Sequence, residues 1–330
     1  MYPATANIFN DPMIKIATFD LLDWIDLQRK IFFFPDIGPV TPQLDLAGYD
    51  TIYFSLNLGT LFFIIVVYLI AVTIGGLLYI ALHYSKALQK IRLKLSEINL
   101  TNISIRFIIE GYFEFMLSLA INIKMFEFSQ GDFAVTGVQI SNVGAIAFVF
   151  ICFGLPLFII GFYTYRIEMW TNESFQKKFG STIEGLDTKP HPIKKGFNKT
   201  WILGFPTILV MRRFLFILAV VWQPSFLMLQ FFILFAFSTT SIIYLLTFWP
   251  FANDRATLLE VFNELCCFML LYHLLCFTDF VPDAQLRYYL GYSYVFFSAG
   301  CIVVHLLFII KDNILRLTTK YKEYKAKKRG

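Results

Sequence analysis

Seven long apolar stretches divide the 330-residue chain. They occupy residues 53–82, 108–126, 137–165, 204–222, 225–249, 257–278 and 285–310. Each is near or above the roughly 20 residues that a helix needs to cross a hydrocarbon core about 30 Å thick. A membrane β-barrel would instead show alternating segments of about 10 residues. The sequence therefore predicts an all-α, polytopic transmembrane helical bundle of about seven spans.

Most basic residues lie in every second connecting segment, and therefore on one side of the predicted membrane. Segments 83–107, 165–203, 250–256 and 311–330 hold 21 of the 28 Lys and Arg residues. Cytoplasmic loops carry such an excess of Lys and Arg. We therefore expect the N-terminus outside and the C-terminus inside. The net charge of +5 follows from this topology and gives no indication of a nucleic-acid partner.

Three regions follow from this topology. Residues 1–51 form an acidic, aromatic extracytoplasmic segment, in which 19–34 has the apolar spacing of an interfacial helix. Residues 52–312 form the seven-span membrane domain. Residues 313–330 form a basic cytoplasmic tail, which either is simply solvated or binds anionic inner-leaflet lipids at about 1 kcal/mol per basic residue. Its candidate lipid contacts are Lys320, Lys322, Lys325, Lys327, Lys328 and Arg329.

Charged residues inside the spans are the candidates for a function, because each costs roughly 2.5–3.5 kcal/mol at the middle of a membrane. Glu110 and Glu114 are four residues apart in the second span, which is the spacing of one helix face. Glu260 and Glu264 repeat this spacing in the sixth span. The predicted polar interior or ion path consists of Glu110, Glu114, Asn122, Glu260, Asn263 and Glu264.

Arg212 and Arg213 in the fourth span are the predicted charge partners of these carboxylates. An ion pair of Arg213 with Glu114 or Glu264 would neutralise two costly charges, so a purely structural role is the alternative to an ion path. A voltage-sensing helix would carry an arginine at every third position, and the fourth span does not.

Sequence motifs for catalysis or cofactor binding are missing. The sequence contains no GxSxG, HExxH, paired CxxC or glycine-rich nucleotide loop. All five cysteines fall inside predicted spans, without metal-site spacing, and are interpreted as packing residues. We therefore expect neither an enzyme nor a metal or cofactor site.

Several short motifs follow one another in a specific order along residues 50–312. They are EGYFE at 110–114 with Asn122, FQKKFG at 175–180 with EGL at 184–186, Arg212-Arg213, WPF at 249–251 and FNE at 262–264. This order resembles the membrane region of TRP-like proteins, the polycystin-related channels of the fungal flavin-carrier type, which ciliates have in large versions with ectodomains. The resemblance implies a channel for cations, with calcium as one candidate, in the plasma membrane or the endomembrane system. It also implies a homo-oligomer.

Other hypotheses remain open beside the channel or transporter. The same topology fits a seven-helix receptor or anchor, and the same polar residues fit a groove for lipid scrambling. The chain could also be the C-terminal part of a longer protein with an ectodomain. The short link between the fourth and fifth spans disfavours a receptor, because it leaves no outer loop for a ligand.

Overall fold

The computed structural model describes residues 27–35, 38–39, 44–45, 48–83, 100–125, 136–165, 172–183, 185–187, 199–222 and 226–327. Within these ranges the regular structure is helical, apart from one isolated antiparallel bridge between Leu186 and Phe251. The helices are α1 Leu27–Ile31, α2 Phe54–Asn57, α3 Thr60–His83, α4 Leu100–Glu110, α5 Tyr112–Lys124, α6 Thr136–Tyr165, α7 Glu173–Phe179, α8 Lys199–Leu203, α9 Phe205–Trp222, α10 Leu227–Phe248, α11 Asp254–Cys276 and α12 Ala284–Lys327. A 3₁₀ turn, Gly180–Ile183, follows α7.

In the described part of the chain, six helical stretches are long and apolar enough to cross a membrane. They are Thr60–Leu78, Gly137–Ile159, Trp201–Trp222, Leu227–Phe248, Asp254–Cys276 and Ala284–Leu315. They match the predicted spans one and three to seven. Large apolar side chains on them face outward, and Phe150 and Phe296 are 76% and 83% exposed. The predicted all-α fold is confirmed in the described residues, and the length and composition of these helices are those of an integral membrane protein.

The second predicted span, 108–126, is built from two shorter helices. Helix α4 ends at Glu110 and α5 begins at Tyr112, with Gly111 between them. A Cβ atom on Gly111 would lie 2.7 Å from two ring atoms of Phe115, so that ring occupies the space beside the break. Neither α4 nor α5 is among the six candidate spans. The count of seven spans stays a prediction.

Helix α5 is central to the first of two compact units, which comprises residues 14–261. Its residues Tyr112, Phe115 and Met116 are fully buried, and burying a large apolar side chain contributes about 1.5–3 kcal/mol. Helix α6 runs antiparallel to α5. The Tyr112 hydroxyl donates to the Cys152 carbonyl at 2.9 Å near one end of α5, and residues 122 and 141 meet near the other end.

Helix α9 packs against α5 and runs in the same direction as α4 and α5. Arg213 Nη1 donates to the Ile109 carbonyl at 3.2 Å, near the end of α4. Lys124 Nζ donates to the Val221 carbonyl at 2.6 Å, near the ends of both α5 and α9. Both cations therefore lie at helix C-termini, where carbonyl groups and the helix dipole favour positive charge.

The described part of the N-terminal segment packs on the same unit. Residues 19–26 of the predicted interfacial helix lie outside the described residues, and 27–31 form α1. Gln28 Nε2 donates to the Gly59 carbonyl at 3.1 Å. The rings of Phe34 and Tyr53 are 5.2 Å apart. These contacts attach the segment to the start of the first span.

The second unit comprises residues 1–13, which lie outside the described residues, and 262–330. The boundary at 261/262 falls inside α11. The rest of α11 and α12 form an antiparallel hairpin, in which Phe262 contacts His305 and Phe277 contacts Tyr294. With 44 residues, α12 is about 66 Å long at 1.5 Å per residue. The predicted basic tail therefore continues the helix of the seventh span through Lys327, while Lys328 and Arg329 lie outside the described residues.

Candidate functional site

A polar stripe follows one face of the central helix α5. Glu114, Ser118 and Asn122 are spaced by four residues, so their side chains lie on the same side of the helix. Ser118 is fully buried and Asn122 is 5% exposed, while Glu114 is half-buried. Acidic and amide side chains are rarely placed on a buried helix face unless they have hydrogen-bonding partners. We call these three residues the polar stripe.

Tyr49 covers the Glu114 end of the polar stripe. Its hydroxyl donates a hydrogen bond to Glu114 Oε2, and the ring is 7% exposed. Burial, followed by the negative charge of Glu114 and the hydrogen bond to it, raises the pKa of Tyr49 above its ordinary value. The phenol therefore stays neutral and acts as a donor that stabilises the carboxylate.

Asn122 connects the other end of the polar stripe to two neighbouring segments. Its Nδ2 donates to the Ile52 carbonyl at 3.2 Å and lies 3.5 Å from Ser141 Oγ on α6. The same Ser141 oxygen accepts from the backbone N–H of Ser55 on α2, also at 3.5 Å. This end of the site therefore brings together α2, α5 and α6.

Three buried side-chain oxygens at this site have no hydrogen-bond partner within the described part of the chain. They belong to Ser55, Ser118 and Asn122. Buried polar groups in folded proteins are nearly always satisfied, by protein, ordered water or an ion. These oxygens and the Glu114 carboxylate are acceptors of the kind that water or a cation contacts, and successive members of the polar stripe are about 6 Å apart along α5.

Glu110 lies in different surroundings from Glu114. It forms an ion pair with Arg106 one turn earlier in α4, with 2.8 Å between Arg106 Nε and Glu110 Oε1. Both side chains are more than half exposed, at 55% and 65%. Exposed pairs of this kind contribute only about 0.3–0.5 kcal/mol. The helix break at Gly111 separates this surface pair from the polar stripe.

Arg212 and Arg213, the predicted charge partners of the carboxylates, lie on α9. Arg213 donates to the carbonyl of Ile109, as described above, and the charges of Arg212 and Glu260 both act on it. The structure thus places Glu260 near the arginine pair and inside the first unit. Asn263 and Glu264 belong to the second unit, where Glu264 is 7% exposed. Of the predicted polar interior, Glu114 and Asn122 share the polar stripe.

Tyr49, Ser55, Ser118 and Ser141 were not predicted from the sequence. Ser118 alone had a local signal, because it lies four residues from both Glu114 and Asn122. The other three come from distant segments and reach the site only through tertiary packing.

A second cluster assembles motifs that are far apart in sequence. Leu186 pairs with Phe251 in the antiparallel bridge, Asp187 N–H donates to the Pro250 carbonyl at 2.8 Å, and Ala252 N–H donates to the Gly185 carbonyl at 3.0 Å. Gly185 has a φ of 83°, which a residue with a side chain rarely adopts. We call this pairing of segments 185–187 and 250–252 the loop clamp.

The 3₁₀ turn that precedes the loop clamp is attached to α4. The backbone N–H of Ser181 donates to Asn102 Oδ1 at 2.8 Å, and Ser181 Oγ donates to the Asn102 carbonyl at 3.1 Å. The motif segments FQKKFG and WPF and the described part of EGL, Gly185-Leu186, therefore converge at the end of α4 that is farther from the polar stripe, while Glu184 lies outside the described residues.

Comparison with known protein families, curated proteins and solved structures finds no match to this chain. The chemistry of the polar stripe is therefore the basis for a functional proposal.

Proposed function

We propose that this integral membrane protein conducts or carries small cations, as the TRP-like resemblance implies, and that the polar stripe is part of the cation path. The observation that carries the proposal is the row of Glu114, Ser118 and Asn122 on a buried helix, with oxygens that have no partner within the described residues. Carboxylate, hydroxyl and amide oxygens replace the hydration shell of a cation in channels and carriers.

The charge of the site favours monovalent cations. Ca²⁺ is usually bound by six to eight oxygens, among them several carboxylates. The polar stripe provides one carboxylate, and the Tyr49 hydroxyl already donates a hydrogen bond to it. Sodium or potassium therefore fits the stripe better than calcium does, although calcium is among the ions implied by the resemblance.

In the proposed seven-span topology, α4 and α5 together form the second span, a transmembrane helix interrupted at Gly111. Together they extend from Leu100 to Lys124, or about 37 Å at 1.5 Å per residue. Their direction supports the proposal. They run parallel to α9, the fourth span, and antiparallel to α6, the third span, as a second span should. Membrane transporters use such discontinuous helices at their ion sites.

The remaining parts of the proposal follow from this topology and from the resemblance. The N-terminus lies outside and the C-terminus inside, in the plasma membrane or the endomembrane system. The basic residues of 313–330 bind anionic inner-leaflet lipids. The protein assembles as a homo-oligomer.

Cation flux into liposomes tests the proposal. The purified chain is reconstituted, and uptake of Na⁺, K⁺ and Ca²⁺ is followed with ion-sensitive dyes for the native sequence and for Glu114→Gln. We expect monovalent flux to fall about ten-fold or more, because the loss of one charge-assisted contact of about 1.4 kcal/mol changes an equilibrium ten-fold.

Glu110→Gln is the matched control, since it removes a carboxylate four residues away that pairs with Arg106 at the surface. Its flux should equal that of the native protein. Equal losses in both variants would contradict the polar stripe as the path. No flux from the folded native protein would contradict the channel and leave the receptor or anchor hypothesis.

A further inference from the structure

The interface between α11 and α12 has a defined register in the second unit. Near one end of the paired region, the rings of Phe262 and His305 are 5.8 Å apart. Farther along, His273 stacks on Phe297 at 5.9 Å, and its Nε2 lies 3.1 Å from Ser293 Oγ. These contacts run antiparallel and fix which residues of the two helices face each other.

Cys266 and Cys301 face each other in this register. Cys266 follows Phe262 by one turn, and Cys301 precedes His305 by one turn, so both sulfurs lie next to the same ring contact. The two Sγ atoms are 2.9 Å apart, and both cysteines are free thiols. Cys266 is buried and Cys301 is half-buried. Neighbouring Cys267 is exposed and points about 100° away from Cys266 around the helix.

We propose that Cys266 and Cys301 form a redox-active dithiol, which a lipid-soluble oxidant of the quinone class converts into a disulfide between α11 and α12. Two S–H bonds break and one S–S bond forms. The two electrons and two protons pass to the quinone, which is reduced to the hydroquinone. The site is thus a modification site inside the membrane, and it does not depend on cation transport.

The position of the pair determines the class of oxidant. Both cysteines lie inside candidate spans, near the middle of Asp254–Cys276 and of Ala284–Leu315. A water-soluble disulfide such as oxidised glutathione is charged and polar, so it does not enter the hydrocarbon core where the pair lies. A neutral quinone dissolves in the hydrocarbon core and reaches the thiols there.

Thiol mapping on the full chain in lipid nanodiscs tests the proposal. The protein is treated with duroquinone, whose fully substituted ring resists addition by thiols. It is then unfolded in dodecyl sulfate so that buried thiols can react, and the remaining thiols are alkylated and located by mass spectrometry. We expect alkylation at Cys266 and Cys301 to fall together by at least about five-fold, with a disulfide-linked peptide pair that dithiothreitol reduces. Oxidised glutathione should leave all five cysteines alkylated.

Two variants distinguish the pair from its neighbours. Cys267→Ser should retain the disulfide, and Cys301→Ala should abolish it and leave Cys266 alkylated. Full alkylation of both residues after duroquinone in the native protein overturns the proposal. A disulfide that involves Cys267 or Cys276 also overturns it, as does oxidation of Cys266 alone.

Discussion

The hydrogen bond from Tyr49 to Glu114 gives the most direct test of the polar stripe. Tyr49→Phe removes one hydroxyl from a buried ring and leaves the half-buried carboxylate without that donor. Hydrogen bonds to charged groups contribute about 1.5–3 kcal/mol. Because Glu114 is partly exposed to solvent, we expect a loss near the lower end, about 1.5–2 kcal/mol in the free energy of unfolding.

A double-mutant cycle with Glu114→Gln isolates the charge-assisted part of this bond. The glutamine amide can still accept from Tyr49, and a neutral hydrogen bond contributes about 0.5–1.5 kcal/mol. Tyr49→Phe should therefore cost about 1 kcal/mol less in the Glu114→Gln background than in the native one. This difference is the coupling energy of the pair.

Unfolding of the four proteins in mixed micelles with increasing dodecyl sulfate, followed by helical circular dichroism, measures the cycle. Tyr289→Phe is the control, because Tyr289 is 59% exposed and its hydroxyl has no part in the site. It should change the unfolding free energy by less than about 0.5 kcal/mol. A similarly small effect of Tyr49→Phe, with no coupling to Glu114→Gln, would refute the role assigned to this hydrogen bond.

Two further predictions concern the same unit. Burial, and then the charge of Glu114, raise the pKa of Tyr49, so the folded protein keeps a proton that the unfolded chain releases near about pH 10. The stability that this group contributes is therefore full below about pH 10 and falls as the pH rises further. Tyr49→Phe should make that fall less steep. Gly137→Ala should destabilise by about 1–3 kcal/mol, because its Cβ would lie 2.3 Å from the Phe33 carbonyl oxygen, while Gly154→Ala on the same helix meets nothing within 4 Å and should not destabilise. Thermal unfolding measures both.

The lengths of the apolar stretches predicted most of the long helices, whereas the orientation predicted from the charge distribution stays a prediction. Six of the seven predicted spans match helices of sufficient length and hydropathy, because a chain in lipid must satisfy its backbone hydrogen bonds within each segment. The boundaries differ mainly at the last span, where α12 continues to Lys327. Apolar windows end at the first charges, whereas a helix continues through Lys, Arg and Glu at little cost.

The chemistry of the site was less predictable, because helix spacing describes only an uninterrupted helix. Glu110 and Glu114 were expected on one face, and the break at Gly111 leaves one with Arg106 and the other with Tyr49. The ion pair of Arg213 with Glu114 or Glu264 stays a prediction. Arg213 Nη1 donates to the Ile109 carbonyl, and Glu260 lies near the arginine pair. A helix end inside a bundle offers acceptors that no sequence pattern reveals.

The loop clamp connects the link between α10 and α11 to helix α4 within the first unit. Segment 250–252 pairs with segment 185–187, and the adjoining turn is held by two hydrogen bonds between Ser181 and Asn102 of α4. Helix α4 then continues through Gly111 into α5, which carries Glu114. A continuous series of contacts therefore leads from the link between α10 and α11 through the loop clamp to α4, and from α4 to the break, where the missing side chain at Gly111 leaves room for the Phe115 ring.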